Sequence, residues 1–235
     1  VGYFAAATKV MQMLLTMSAC LGSVMMPRAS HLIAENKEDE FNRLIQKSYD
    51  FTLAIALPMT IGLIFCAPSL ITALCGVKFE HSILPSQIIA PIILMVAISN
   101  VFGIQVLFPK GKINIVTLCC GIGAVADLIL NLCLIPLFSY IGTSIAYLGA
   151  EVATTVSMYF IGRRYIPIIY FKKSHLTYAL GCVVMAFALY GLSLLQLPTF
   201  TILLLQGCCG VLAYFIILCI CKDEMLVQIL SKIKR

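Results

Sequence analysis

Residues 113–135 read INIVTLCCGIGAVADLILNLCLI, a run in which Asp127 is the only charged residue. Wound as a helix at 1.5 Å per residue, such a run crosses the roughly 30 Å hydrocarbon core of a bilayer. A helix is required because lipid offers no partner to the backbone groups of an open strand. Six further apolar runs flank this one, over 1–26, 51–75 and 83–108 before it and 142–161, 176–196 and 199–221 after it. The composition agrees: 61% of the 235 residues are hydrophobic and 11% are charged, where a soluble domain carries about 25% charged residues. So few charges cannot clothe a water-exposed surface, which excludes a soluble enzyme, a nucleic-acid binder and a disordered chain. The sequence predicts an all-α, polytopic transmembrane bundle of about seven spans.

Basic residues give the bundle a direction. Arg28, Lys37, Arg43, Lys47, Lys110, Lys112, Arg163, Arg164, Lys172, Lys173, Lys222, Lys232, Lys234 and Arg235 all fall in loops or tails on one side; only Lys78 falls on the other. The positive-inside rule then places the C-terminus in the cytoplasm and the N-terminal end outward. Two cytoplasmic pieces are amphipathic. In the 27–50 loop, Asn36 is a candidate N-cap, Glu38, Asp39 and Glu40 suit a first turn, and Phe41, Leu44 and Ile45 share a face. In the tail over 222–235, Met225, Leu226, Ile229, Leu230 and Ile233 recur at helical spacing beside basic residues, as in a helix lying on an anionic leaflet.

Cysteine and histidine carry no metal pattern. The 11 cysteines form no C-x-x-C, and His31, His81 and His175 are far apart. Cysteine reads here as a small apolar residue at helix contacts, and no cofactor is implied.

The informative polar residues lie inside the spans. Lys9 shares a helix face with Gln12, Thr16 and Ser23; Asp127 and Asn131 are one turn apart; Glu151 is midway along its span. Counted from the outer end of each span, Lys9, Asp127 and Glu151 lie at similar depths of about 12–13 Å. A charge at such depth costs about 2.5–3.5 kcal/mol on insertion scales. Two arrangements meet that cost: mutual pairing around a shared wet cavity, or a snorkelling Lys9 with neutral or hydrogen-bonded carboxylates. Gly142, Ala146, Ala150 and Thr154 form a stripe of small residues that suits close helix packing. Pro58, Pro68 and Pro91 should kink or break their helices.

Several short motifs resemble one family. Gly2-Tyr3 with Ala5-Ala6-Ala7 and Lys9, then Met26-Pro27-Arg28-Ala29-Ser30, are similar to the eighth span of polysaccharide repeat-unit flippases and the turn after it. Leu57-Pro58 with Gly62, Gly76 with Phe79, and Ser99-Asn100 with Gly103, Gln105 and Leu107 follow in the same order. So do Pro109 with Gly111-Lys112, Asn131 with Leu134-Ile135-Pro136, and Gly142 with Ala146 and Glu151. The series resembles the C-terminal half of an O-antigen or capsule flippase of the multidrug/oligosaccharidyl-lipid/polysaccharide exporter superfamily.

The likeness covers residues 1–165, five helices of a C-terminal lobe; 166–221 adds two transmembrane helices by hydropathy, and 222–235 is the basic tail. It implies one lobe of a two-lobed, MATE-like transporter, with an N-terminal lobe of the same protein as partner. The chain starts at Val1 without an initiator Met or signal peptide, which fits part of a longer protein. The implied function is export of undecaprenyl-diphosphate-linked oligosaccharide from inner to outer leaflet for cell-surface polysaccharide, by a carrier and not an enzyme. Lys9, Gln12, Thr16 and Asn100 are the expected cavity residues for substrate. Asp127, Asn131 and Glu151 are expected in charge pairing or ion coupling. A Lys at position 9, in place of the family's Arg, weakens a bidentate hold on diphosphate. The rival within the superfamily is a MATE-type drug/cation antiporter. A seven-span receptor lacks its Asp-Arg-Tyr and Asn-Pro-x-x-Tyr motifs here, and a membrane glycosyltransferase lacks a polar catalytic loop.

Overall fold

The computed structural model describes residues 2–170, 172–195 and 198–221, and every regular element among them is helical. In chain order these are α1 (Gly2–Ala34), α2 (Glu38–Cys75), a 3-10 segment (Val77–Ser82), α3 (Ile83–Ile89), α4 (Ile92–Asn100), a π-helical segment (Val101–Leu107), α5 (Ile113–Phe138), α6 (Tyr140–Gly162), α7 (Lys173–Ser193) and α8 (Thr199–Ile220). Among the described residues, five helices, α2 and α5 to α8, are long and apolar enough to cross a membrane. The pair Val77–Ile89 and Ile92–Leu107, bent by 42°, makes a sixth, broken span. The expected seventh span, over 1–26, is the start of the 33-residue α1, which is not among those apolar spans.

The loop expected over 27–50 does not exist as a loop. α1 runs through Pro27 to Ala34, and α2 starts at Glu38, so only residues 35–37 turn the chain. Asn36 does not cap α2: it takes φ 57°, a left-handed turn position that asparagine tolerates, and Lys37 precedes the first turn. Glu38, Asp39 and Glu40 do occupy that first turn. The amphipathic face of Phe41, Leu44 and Ile45 is buried in the bundle. The tail expected over 222–235 lies outside the described residues.

Proline acts differently at its three predicted sites. Pro91 stands at the break of the bent span. Pro58 and Pro68 leave α2 continuous over 38 residues. Each removes the N–H that would bond the carbonyl four residues back, freeing Ala54 O and Ile64 O. Side chains from elsewhere in the bundle replace those donors. Tyr214 Oη of α8 donates to Ala54 O at 2.8 Å, and Gln87 Nε2 of α3 donates to Ile64 O at 3.0 Å. The freed carbonyls are thus satisfied inside protein, which is how membrane helices carry proline.

Two apolar cores hold the helices. One joins Ala7, Val10 and Met11 of α1 to Leu63 and Ile71 of α2 and to Ile89, Ile92 and Ile93 of the broken span. The other gathers Phe41, Ile45 and Tyr49 around the π-helical segment, Met158, Tyr178 and Tyr214. The small-residue stripe of α6 is a contact face: Gly142, Ala146 and Ala150 are buried. Carbon added at Gly142 would lie 2.3 Å from the Leu134 carbonyl oxygen, so α5 and α6 meet backbone to backbone there.

Candidate functional site

A cavity of about 490 Å3 opens between α4, the π-helical segment, α5 and α6. Helix periodicity explains its polar lining. Ser99 and Asn100 end α4, Asp127 lies in α5, and Tyr147, Glu151 and Thr154 recur on one face of α6. Gly123 of α5 allows the approach that shapes it, since a Cβ there would collide with Thr154 Oγ1 at 1.9 Å. Thr155, next to this face, shares its one hydroxyl proton between Glu151 O at 2.8 Å and Met95 O at 3.2 Å, linking α6 to α4. Asn100, Asp127 and Glu151 are therefore brought together. Among the described residues, neither carboxylate is ion-paired with a basic group.

Asn131 does not join them. Its Nδ2 donates to the Asp127 backbone carbonyl at 2.9 Å, and its Oδ1 is buried without a hydrogen bond. Lys9, Gln12 and Thr16 also lie elsewhere. All three are exposed on α1, on the face opposite buried Ala7, Val10 and Met11; Thr16 Oγ1 donates to Met13 O at 2.7 Å. The Ser23 side chain is outside the described residues. The expected cluster is thus split: the carboxylates and Asn100 face a cavity within this bundle, and the Lys9 stripe faces out of it. Similar depth along separate helices does not set the direction in which a side chain points, and the apolar side of α1 takes the packed position.

A second polar cluster, not anticipated from the sequence, sits where α2, the 163–172 segment and α7 meet. Asp50 accepts from Gln46 Nε2 at 2.8 Å, Lys172 Nζ at 3.0 Å and His175 Nε2 at 2.9 Å. Gln46 Oε1 also accepts from Ile169 N–H at 2.7 Å, pinning the connecting segment to α2. His175 Nδ1 faces the Tyr170 carbonyl at 2.8 Å. The Tyr49 ring meets His175 edge to face and also meets Tyr170, against which Phe102 and Tyr159 pack in turn. The sequence signal was present but faint: a lone acid at the start of one apolar run and a lone histidine at the start of another. Nearby, Ser48 Oγ donates to Gln105 Oε1, pairing two polar side chains that are almost fully buried.

Comparison with known proteins gives this geometry a family. The family model described as lipid II flippase MurJ matches residues 1–208. A solved structure, "Lipid II flippase MurJ, inward closed conformation", superposes with a TM-score of 0.83 at 17% identity over 96% of this chain. The match takes in 48% of that structure, so this chain spans about half its length. At that identity the likeness concerns the fold, a transmembrane helical bundle. No curated protein matches. The resemblance to O-antigen and capsule flippases therefore holds at the level of lipid-linked flippases in their shared superfamily, and the family within it is a different one. With the family model extending from the first residue of α1 into α8, the chain belongs to the lipid II flippase MurJ family.

Proposed function

We propose that this chain is one half of a flippase that carries a polyprenyl-diphosphate-linked saccharide across the membrane, and that its cargo is of the lipid II type. The observation that carries the reading is the family match over residues 1–208, whose description names lipid II. It favours lipid II over an O-antigen or capsule repeat unit, and a lipid-linked cargo over the small cations of a MATE-type antiporter.

The geometry supports a division of labour. A carrier must hold a strongly polar head group away from hydrocarbon while the lipid tail stays in the bilayer. The exposed stripe of Lys9, Gln12 and Thr16 supplies a cation and polar groups on a face that a second lobe would close into a central cavity. Lys9 contacts the diphosphate there, as a point charge. Asp127 and Glu151 face a separate cavity with Asn100. Two carboxylates in one intramembrane cavity repel when both are charged, and a proton or cation between them offsets that repulsion. This pair is the coupling element. The basic loops face the cytoplasm and the Lys78 side faces outward.

The test reconstitutes the protein, with its second lobe, into vesicles containing fluorescent lipid II or a fluorescent O-antigen-type repeat unit on the same lipid carrier. Lipid II should cross faster. Faster movement of the repeat unit would reverse the assignment of cargo, and exchange of a cationic dye without movement of either lipid would favour the antiporter.

A further inference from the structure

The cation-rich corner at the end of α6 is not used by the function proposed above. A cavity of about 590 Å3 there is lined by Tyr159, Arg163, Arg164, Ile166 and Tyr170. Ile166 is buried and gives it an apolar wall. The rings of Tyr159 and Tyr170 meet at 5.2 Å and 90°, a rigid edge-to-face corner. Both guanidinium side chains are exposed, and among the described residues neither is ion-paired with a carboxylate.

Two more cations crowd the same corner. Lys110 Nζ donates to Tyr165 O at 3.1 Å, and Lys112 Nζ lies 5.1 Å from the Tyr165 ring centroid. Lys110 also stands 5.1 Å from the Phe41 ring, held by an aromatic face in place of an acid. Arg163, Arg164, Lys110 and Lys112 thus gather around Tyr165, and among the described residues none of the four is ion-paired with a carboxylate. The negative end of the α6 dipole favours a cation at this position. It does not account for four, nor for a cavity lined by two tyrosines. The Tyr170 phenol is pushed up to about 12, first by burial and then by the neighbouring Tyr159 and Tyr49 phenols, so it remains a proton donor at neutral pH.

The location selects the ligand. A 23-residue α6 runs about 35 Å, so its end lies at head-group level, where Tyr and Arg anchor to the interface. Guanidinium forks match phosphate oxygens bidentately, and basic pockets at this level between spans suit anionic head groups. We propose that Arg163 and Arg164, with the Tyr159 and Tyr170 phenols, form a site for the phosphate of a net-anionic lipid head group. The site lies at the surface end of α6 and is separate from the Lys9 stripe. Its placement in the cytoplasmic leaflet rests on the orientation proposed above; binding itself needs neither that orientation nor transport.

Lipid phosphate could come from a glycerophospholipid or from an isoprenoid diphosphate carrier, and the test separates them. The detergent-purified protein, with its second lobe where it has one, is titrated with dihexanoyl phosphatidylglycerol, with farnesyl diphosphate and with inorganic diphosphate. The pair Arg163→Gln and Arg164→Gln is compared with the pair Arg28→Gln and Arg43→Gln, exposed cations outside the cavity. Loss of charge-assisted forks should weaken lipid-phosphate binding about tenfold or more in the first pair only. Weakening of phosphatidylglycerol identifies a phospholipid site, and weakening of farnesyl diphosphate alone identifies the isoprenoid carrier; either supports the proposal. Equal weakening by both pairs, weakening for inorganic diphosphate alone, or no change would overturn it. Loss of flipping with lipid binding intact would strike the transport reading and leave this one standing.

Discussion

Removing the Asp50 carboxylate should loosen the 163–172 segment from the bundle. Asp50 accepts three hydrogen bonds, and its side chain is 10% exposed against 13% for His175. Asp50→Ala leaves Gln46 Nε2 and His175 Nε2 without their shared acceptor in a largely buried site, and each orphaned buried group costs about 1–3 kcal/mol. Two such groups, each with slight residual exposure, together give about 3 kcal/mol. Lys172 adds little, because at 35% exposure its bridge is largely screened and is worth at most about 1 kcal/mol. The reporter is the Ile169 amide, which bonds to Gln46 Oε1 on the same helix face as Asp50. At about 1.4 kcal/mol per factor of ten, 3 kcal/mol becomes roughly a hundredfold faster exchange at Ile169 by hydrogen–deuterium exchange in nanodiscs. Asp50→Asn keeps acceptor capacity toward Gln46 and His175 and should exchange more slowly than Asp50→Ala. Lys172→Met should change it less than about tenfold. If Asp50→Ala alters Ile169 exchange by less than about threefold, the cluster does not hold this segment and the reasoning fails.

Tyr214→Phe should orphan the carbonyl freed by Pro58 and lower thermal stability by about 1–3 kcal/mol, while an unchanged melting temperature would show that carbonyl satisfied another way. Gly142→Ala should destabilise more than Gly123→Ala. The first meets a backbone oxygen at 2.3 Å, and the second meets a threonine hydroxyl that can rotate away; the two melting temperatures decide it. The Tyr170 phenol has a folded pKa raised to about 12, so its contribution is intact below the ordinary value near 10 and is lost as pH rises toward 12. Tyr170→Phe should remove one late-titrating phenol from the ultraviolet tyrosinate titration. Single cysteines at Lys37 and Glu80, both exposed, should label from opposite sides of the membrane, with Glu80→Cys reached from outside. Lys9→Ala should abolish lipid-linked cargo movement and Lys9→Arg retain part of it; wild-type flux in Lys9→Ala would reduce Lys9 to an anchor.

The spans were legible because apolar run length is a direct bilayer signal. α5, predicted over 113–135, extends over Ile113–Phe138, and α6, predicted over 142–161, over Tyr140–Gly162. The Pro27–Asp50 region was misread because its charges looked like a loop, whereas the helices simply continue beyond hydrocarbon, with Phe41 and Ile45 still packed. Proline marked the break at Pro91, whereas at Pro58 and Pro68 α2 does not break. The rescuing donors, Tyr214 and Gln87, come from distant positions that no local pattern marks. For the site, periodicity could place Asp127 and Glu151 at one depth, and the cavity joins them. It could not say that α1 turns its Lys9 face away, because that depends on which side of α1 the rest of the bundle covers.

That turning away bears on how Lys9 is neutralised. A helix facing only lipid would bury its polar side in the bundle and show its apolar side; α1 does the reverse, with Ala7 and Met11 fully buried and Met13 63% exposed beside Gln12. Snorkelling accounts for one lysine near a helix end, but not for a stripe that continues inward through Gln12 to Thr16. Asp127 and Glu151 face their own cavity, and no carboxylate pairs with Lys9 among the described residues. On the function proposed above, the counter-charge comes from outside this bundle, from a second lobe or from the cargo. On that reading an anionic cargo would make the larger difference: its arrival would neutralise a cation otherwise held at a cost in a low-dielectric cavity, and its departure would restore that cost. A lysine, a compact charge without a fixed fork, fits a carrier that must release as well as bind.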